Sequence, residues 1–506
     1  MQIKTFAAID IGSYEVEMKV FELSSARGMR EIDCIRRRLE MGKDTFSTGK
    51  VSVEKIEALC ELLESYAEVM KGYRVDDYRA CATSAIRETK NRIILLDYIQ
   101  NRTGFKVEVL GNAEQRFMDY KSIASKENEF NRLILKPTAI VDVGGGSVQI
   151  SLFDKDSLVT TQNMRMGNLR LREKLSVLEQ STTHMELMLQ EVIDNELKGF
   201  RKLYLKDKEI KNVIVVGDHI GDLTKATSVS REEFFEIYDQ VMHCSLDDVA
   251  QRFEVPTESV SLLLPSLVIY KRFIEEFGTE TIWMPGLNIC DGIAYEYAVQ
   301  NKIIKAAHNF DEDIIASARN MAKRYLCSKS HMRILEELAL GIFDKMKKIH
   351  GLGKRERLLL QIAVILHGCG KYISLSDVGE CSYSIIKATE IIGLSKDERE
   401  IIANVVRFNT QEFEYYEKIS AYTSISKEEY LTVTKLTAIL RIANAMDRSH
   451  KQKFKNVKMS LKNNELIIQV TTNEDITLEK GFFPEKAVFF EEVFAVRPVI
   501  RQKKIM

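Results

Sequence analysis

Proline is scarce, with 6 in 506 residues, and this excludes long proline-rich linkers. The 8 cysteines are thinly spread and contain no Cys-x-x-Cys pair. Neither a disulfide framework nor a zinc ribbon is expected, and a reducing compartment fits. The opening residues, MQIKTFAAIDIGS, lack a basic stretch leading into an apolar one, so no signal peptide is expected. No apolar run reaches the length of a membrane span. Excess charge is missing too: 73 Lys+Arg against 74 Asp+Glu leaves a net charge of −1. That excludes a uniform basic coat for nucleic acid or membrane surfaces and leaves room only for a local basic groove. These absences predict a soluble, cytoplasmic protein with no nucleic-acid or membrane partner. What remains is an ordinary globular composition, 45% hydrophobic and 29% charged, over a length that suits about three domains.

The chain echoes itself. TFAAIDIGSYEVEMKVFEL near the start is answered by TAIVDVGGGSVQISLFDK, and the step from Asp10 to Phe21 equals that from Asp142 to Phe153. Apolar alternation on both sides of a glycine-containing turn reads as a β-hairpin. Two copies predict two similar domains facing one another across a cleft. Strand and helix patterns alternate around both copies, which argues for α/β sheets up to about Asn301. From about Phe310 the texture changes to successive amphipathic helices. NVKMSLKNNELIIQVTTN then reads as a hairpin on an Asn-Asn turn, closing the chain with a small α+β segment.

Glycine-rich turns after strands let backbone N–H groups approach phosphate oxygens, because no Cβ blocks the way. Gly144, Gly145, Gly146 and Ser147 fit that task, and Gly12 and Ser13 form a shorter version. Asp10 and Asp142 precede the two turns, where a carboxylate can hold Mg²⁺ against a bound phosphate. Thr83, Ser84 and Arg87 lie at a strand-to-helix junction. They read either as an ordinary cap with a surface arginine or as hydroxyls, free N–H groups and a guanidinium fork around phosphate. Glu114 heads the next helix, where it could position a water; the pattern alone favours stabilisation of the helix N-terminus. Basic residues cluster at Arg36, Arg37, Arg38 and Lys43 and again at Arg165, Arg170, Arg172 and Lys174. Each cluster suits a polyanion track or a solvated face equally.

At these residues the chain resembles the exopolyphosphatase / guanosine pentaphosphate phosphohydrolase (Ppx/GppA) family along its whole length. The family's DxGS opening is matched at Asp10, Gly12 and Ser13, and its TSAxRxxxN block at Thr83, Ser84, Ala85, Arg87 and Asn91. GxEEAR is matched at Gly111, Glu114 and Arg116, DxGGGS at Asp142 and Gly144 to Ser147, and MGxxRLxE at Met166, Gly167, Arg170, Leu171 and Glu173. The resemblance implies an α/β fold of two actin-like (ribonuclease H-like) domains, residues 1–130 and 131–305, facing a cleft. An all-α HD-like domain, 306–452, and a small α+β segment, 453–506, follow. It implies Mg²⁺-dependent hydrolysis of the terminal phosphoanhydride of polyphosphate, or of pppGpp, by a homodimer. Guanosine penta- or tetraphosphate would be the other ligand. Glu114 would be the base that activates water, and Arg87, Asp10, Asp142 and the loops would hold phosphate and metal.

Departures from the family pattern are visible. Tyr14 and Glu15 replace Asn and Ser, Gln149 replaces a Glu, and Ala113 replaces the first Glu of a pair. The third glycine segment reads VVGDHIGDL, with Asp218 and His219 inserted. The HD-type metal positions fall on His331, on His367 with Gly368, and on Asn444, while Asp447, Arg448, Ser449 and His450 survive. Two imidazoles without the carboxylates are too few for paired-metal chemistry, so His331 and His367 read as packed or surface residues. These departures raise a second reading, a protein that binds polyphosphate or an alarmone without turning it over. A kinase of the same superfamily ranks lower, because VVGDHIGDL lacks a clear adenosine-binding glycine pair.

Overall fold

Two sheets with the same plan organise the first 309 residues. The computed structural model describes residues 3–176, 185–205, 208–217, 219–224, 226–255, 257–306 and 308–504. The inserted Asp218 lies outside the described residues. Backbone contacts divide the chain into Met1–Asn309 and Phe310–Met506.

In the first sheet, β1 (Lys4–Ile11), β2 (Glu15–Ser24), β3 (Gly28–Arg38), β4 (Asp77–Ala82) and β5 (Val107–Val109) lie in the order 3-2-1-4-5. β1, β2 and β3 run antiparallel, while β4 joins β1 and β5 joins β4 in parallel. The second sheet repeats this. β6 (Thr138–Val143), β7 (Val148–Phe153) and β8 (Leu158–Met164) form the antiparallel meander, and β9 (Asn212–Val216) joins β6 in parallel. β10 (Ser228–Ser230) and β11 (Thr281–Trp283) extend its far edge. The repeat holds to the residue: Ile11 pairs with Val16 across one turn and Val143 with Val148 across the other.

β1 carries Phe6, Ala7, Ala8 and Ile9 fully buried, so both of its faces are covered. Two-sided burial is the reason its sequence reads as a run rather than as a clean alternation. One face packs Ala7, Ile9 and Ile11 against Leu59, Leu63 and Ile99 of the helices Val53–Gly72 and Arg92–Thr103. The other packs Phe6 and Ala8 against Ile293 and Ala294 of the helix Ile289–Gln300. That helix also packs on the helix Asn112–Ala124, which in turn touches β6 and β7. One helix therefore bridges the two sheets and turns its inward face to the space between them.

Gly292 makes that bridge close. A Cβ there would overlap the backbone carbonyl of Met118, which cannot rotate away. Gly292→Ala is expected to force the two helices apart and cost about 1–3 kcal/mol. Thermal unfolding should show a melting temperature lower by several degrees; an unchanged value would mean that the helices shift freely.

Residues from Phe310 onward are helical, as expected, with successive helices from Phe310–Arg324 to Lys427–Ala445. β12 (Val457–Lys462) and β13 (Glu465–Thr471) form the expected hairpin, with Asn463 and Asn464 at φ 48 and 56. Asparagine tolerates this left-handed backbone better than most residues do. The helix Thr477–Phe494 then returns the chain to β14 (Arg497–Lys503), which lies parallel to β13.

Candidate active site

The two glycine turns are built alike. Gly12 N–H donates to Glu15 O and Gly144 N–H to Ser147 O, each at 3.0 Å. In the second turn the carbonyls are all used from below. Asn168 N–H donates to Gly144 O, Arg170 N–H to Gly145 O, and the Arg170 Nε to Gly146 O. Gly167 lies so near that a Cβ would overlap Gly144 O and Ser147 N. The amides of Gly145, Gly146 and Ser147 have no acceptor among the described residues. The Met-Gly segment thus fixes the loop by its acceptors and leaves its donors unbonded, as an anion cradle requires.

The turns meet. A Cβ on Gly145 would lie 2.9 Å from Ser13 Cβ, and one on Gly146 would lie 2.6 Å from Ser84 Oγ. The hydroxyls of Ser13 and Ser84 share a hydrogen bond of 2.7 Å. Asp10, Gly12, Ser13, Thr83, Ser84, Asp142, Gly144, Gly145 and Ser147 together line one cleft of about 410 Å³. Gly146 packs directly behind the hydroxyl of Ser84. The expected loops, hydroxyls and strand-end aspartates are thus brought into one place.

Glu114 and Arg87 stand differently. The Glu114 carboxylate accepts the Gly111 N–H at 2.8 Å, the N-terminal cap of its own helix, and it is not among the residues lining the cleft. Arg87 donates to Leu110 O at 2.7 Å and to the Gln115 side chain at 3.3 Å, and it does not line the cleft either. The helix instead presents Gln115 and Asp119, four residues apart and so on one face. Gln115 Nε2 donates to Asp142 Oδ2 at 3.2 Å. Neither residue was singled out from sequence; the signal was their i,i+4 spacing on a helix whose start was already placed.

The floor of the cleft is acidic. Burial pushes the Asp10 carboxyl well above its ordinary range, and the charges of Glu17, Glu15 and Asp142 add to this. Burial does the same to Asp119, helped by Asp142 and Asp10. One oxygen of Asp10, one of Asp119 and both amide atoms of Gln149 are sealed from solvent without a hydrogen-bond partner. Gln149 faces Asp142 across the β6–β7 ladder. Glu15 lines the cleft and its charge bears on Asp10, adding repulsion there. Tyr14 turns into a small apolar cluster with Leu169 and Leu262, beneath the guanidinium of Arg38 at 5.2 Å.

A divalent cation fits this floor. Orphaned carboxylate oxygens with raised pKa values are what a bound charge would satisfy. Among the described residues no set of three side chains forms a ready-made cage. Mg²⁺ suits that arrangement, since it keeps waters and is held through one or two carboxylates and phosphate oxygens.

Of the two basic clusters, read equally as a polyanion track or a solvated face, several members are held in ion pairs. Arg36 lines the cleft with its Nε on Glu17 at 2.8 Å. Arg38 and Arg172 pair with Glu40 at 3.0 Å, and Arg165 and Arg170 pair with Glu88 at 2.7 Å. The partners of Arg165, Arg170 and Arg172 are carboxylates distant in sequence, which a linear reading does not register. His331 and His367, read as packed or surface residues, are packed: both are buried, beside Asp447 and His450.

Comparison with known proteins follows this geometry. A family model described as the Ppx/GppA phosphatase family matches residues 20–300, and one described as Ppx/GppA phosphatase domain III matches 315–482. A guanosine-5'-triphosphate,3'-diphosphate pyrophosphatase of Photobacterium profundum is 19% identical over 452 residues, covering 86% of this chain and 85% of that protein. Exopolyphosphatase 2 of Mycobacterium tuberculosis is 24% identical over 182 residues, covering 34% of this chain and 56% of that one. The crystal structure of an exopolyphosphatase from Cytophaga hutchinsonii superposes with a TM-score of 0.52 at 16% identity, over 60% of this chain and 99% of that one. At such identity it speaks for the fold. No helix among the described residues is long and apolar enough to cross a membrane.

Proposed function

The chain belongs to the Ppx/GppA phosphatase family, and from that premise we propose that it hydrolyses the terminal phosphoanhydride of inorganic polyphosphate or of pppGpp, with Mg²⁺. The observation that carries this reading is the pair of glycine turns with Asp10 and Asp142 at their roots, lining one cleft. The relatives named above as a pyrophosphatase of a guanosine alarmone and as an exopolyphosphatase support the substrate class.

The terminal phosphoryl group rests on the unbonded amides of Gly145 and Ser147 and on the hydroxyls of Ser13, Thr83 and Ser84. Such donors bind the charge that spreads over the equatorial oxygens during transfer. Asp10 and Asp142 would hold the Mg²⁺, whose chemistry is to neutralise charge on the phosphoryl oxygens. A water oxygen bonds to phosphorus as the bridging P–O bond breaks, and its proton passes to a carboxylate. We assign that carboxylate to Glu114, following the family pattern. Its nearest neighbour in the chain, Gln115, already touches Asp142. Reaching the water requires releasing the cap on Gly111, which costs about 1 kcal/mol, a cost substrate binding must offset.

Phosphate release from long-chain polyphosphate and from pppGpp, measured side by side for wild type and Glu114→Gln, tests this. Glutamine can still accept the cap, so the fold is preserved. kcat should fall by about 10²–10⁴-fold with KM little changed. Undiminished release would move the base elsewhere on the same helix, to Asp119. Gln149, Glu15 and the Gln115–Asp142 bond favour a second reading, ligand binding without turnover. Tight calorimetric binding with no release from wild type would establish that reading.

A further inference from the structure

The segment from Phe310 onward holds a cavity of its own, about 440 Å³, at the start of the helix Val378–Ala388. This pocket owes nothing to the phosphate loops, and no role was read for it from sequence. Three features of it converge. First, the N-cap residue of that helix, Asp377, makes no side-chain cap, so the first-turn N–H groups have no side-chain acceptor there. A helix start of this kind attracts an anion. Second, Asn409 lines the pocket at 3% exposure, and neither its amide oxygen nor its amide nitrogen has a partner. Buried amides are rarely left so, and an unmet pair of this kind points to a ligand.

The third feature is Arg441. Its side chain is 9% exposed, with Nε donating to Phe408 O at 2.7 Å and one terminal nitrogen to Gln411 O. No carboxylate pairs with it among the described residues, and its plane lies 4.8 Å from the Phe489 ring. Backbone carbonyls fix its direction, and the Glu485 carboxylate on the pocket wall acts on its charge without forming an ion pair, an arrangement that leaves the guanidinium available to a phosphoryl group. The rim is different in kind. Phe482 and Leu375 are 45% and 84% exposed, and the Arg448 guanidinium lies over the Phe482 ring at 5.4 Å. Asn444, at a position where the HD pattern has a metal-binding aspartate, also lines the pocket. The pocket walls carry Arg441, Arg448 and Lys486 against the carboxylates of Asp377 and Glu485, a balance that suits an anion rather than a cation.

We propose that this pocket binds a small phosphorylated ligand carrying a flat ring, a nucleoside phosphate in chemical class. The phosphate sits between the helix start, Asn409 and Arg441, and the ring lies on Phe482. Its lining residues all lie after Phe310, whereas those of the hydrolytic cleft all lie before it.

The test uses the full chain and calorimetric titration with GMP and with inorganic phosphate. Three proteins are compared: wild type, the pocket variant Asn409→Leu/Arg448→Ala, and the cleft variant Asp142→Asn. GMP should bind wild type and the cleft variant alike, at least about tenfold more tightly than phosphate. The pocket variant should lose at least about tenfold in GMP affinity. Asn409→Leu alone should keep the melting temperature, since it removes two polar atoms that have no partner. GMP binding lost in the cleft variant but kept in the pocket variant would overturn the proposal. So would the absence of GMP binding to wild type, and equal affinity for phosphate and GMP would overturn the part played by the ring.

Discussion

Asp142→Asn is expected to lower phosphate release by about 10³-fold or more, with no loss of melting temperature. The two halves of that result have separate causes. Asp142 stands at the end of β6, directly before the glycine turn, and accepts from Gln115 at 3.2 Å. Asparagine keeps the size and keeps an oxygen for Gln115, so packing is preserved. What disappears is one negative charge on a floor where Asp10 and Asp119 already suffer from it. Without metal, that removal relieves repulsion and does not weaken the fold. With metal it removes a ligand. Mg²⁺-dependent stabilisation should therefore shrink in the variant, since ligand-linked stability follows affinity. Phosphate release and melting temperature with and without Mg²⁺ check the pair. A variant that loses activity together with several degrees of stability would mark Asp142 as a packing residue.

The parts of this architecture that depend on chain-local pattern were legible in the sequence. Alternation around Gly12 and around Gly144 fixed two hairpins, and their equal spacing fixed the repeat that both sheets show. Asn463-Asn464 announced its turn through its tolerance of positive φ. What was not legible depends on angle or on distant partners. Glu114 and Gln115 are adjacent in the chain yet about 100° apart around the helix, so a motif match cannot say which faces the cleft. Asp119 became part of the floor only because the helix Asn112–Ala124 runs between two sheets. The arginines of the second cluster looked free because their partners, Glu88 and Glu40, lie 82 and 132 residues away in sequence. The second pocket left no linear trace, since Asn409 and Arg441 are ordinary residues on separate helices.

The histidine cluster gives the chain an acid-sensitive region, and His367 is its centre. Its Nδ1 donates to Val364 O at 2.6 Å, and its ring lies edge-on to that of His331 at 5.1 Å. His331 is stacked on His450 at 3.7 Å and bonded through Nδ1 to Asp447 Oδ2 at 2.7 Å. Burial, and then the charge of His331, push His367 down to about 3, and burial lowers His450 as well. An unfolded histidine takes its proton near 6.5, while folded His367 refuses it until far lower pH. Between those values the unfolded state binds more protons, so stability falls as pH falls. The slope is about 1.4 kcal/mol per pH unit for one such group, giving a loss of roughly 3 kcal/mol by pH 4. The raised carboxyls of Asp10 and Asp119 act in the opposite sense, because they gain protons on folding as the pH falls. Both lie before Phe310, whereas His367 lies after it. Calorimetric unfolding of wild type and His367→Gln from pH 7 to pH 4 separates the two. Glutamine can still donate to Val364 O but carries no titrating group, so the variant should lose most of the pH slope. Identical slopes in both proteins would mean that the cluster opens to solvent and takes its protons before the fold gives way.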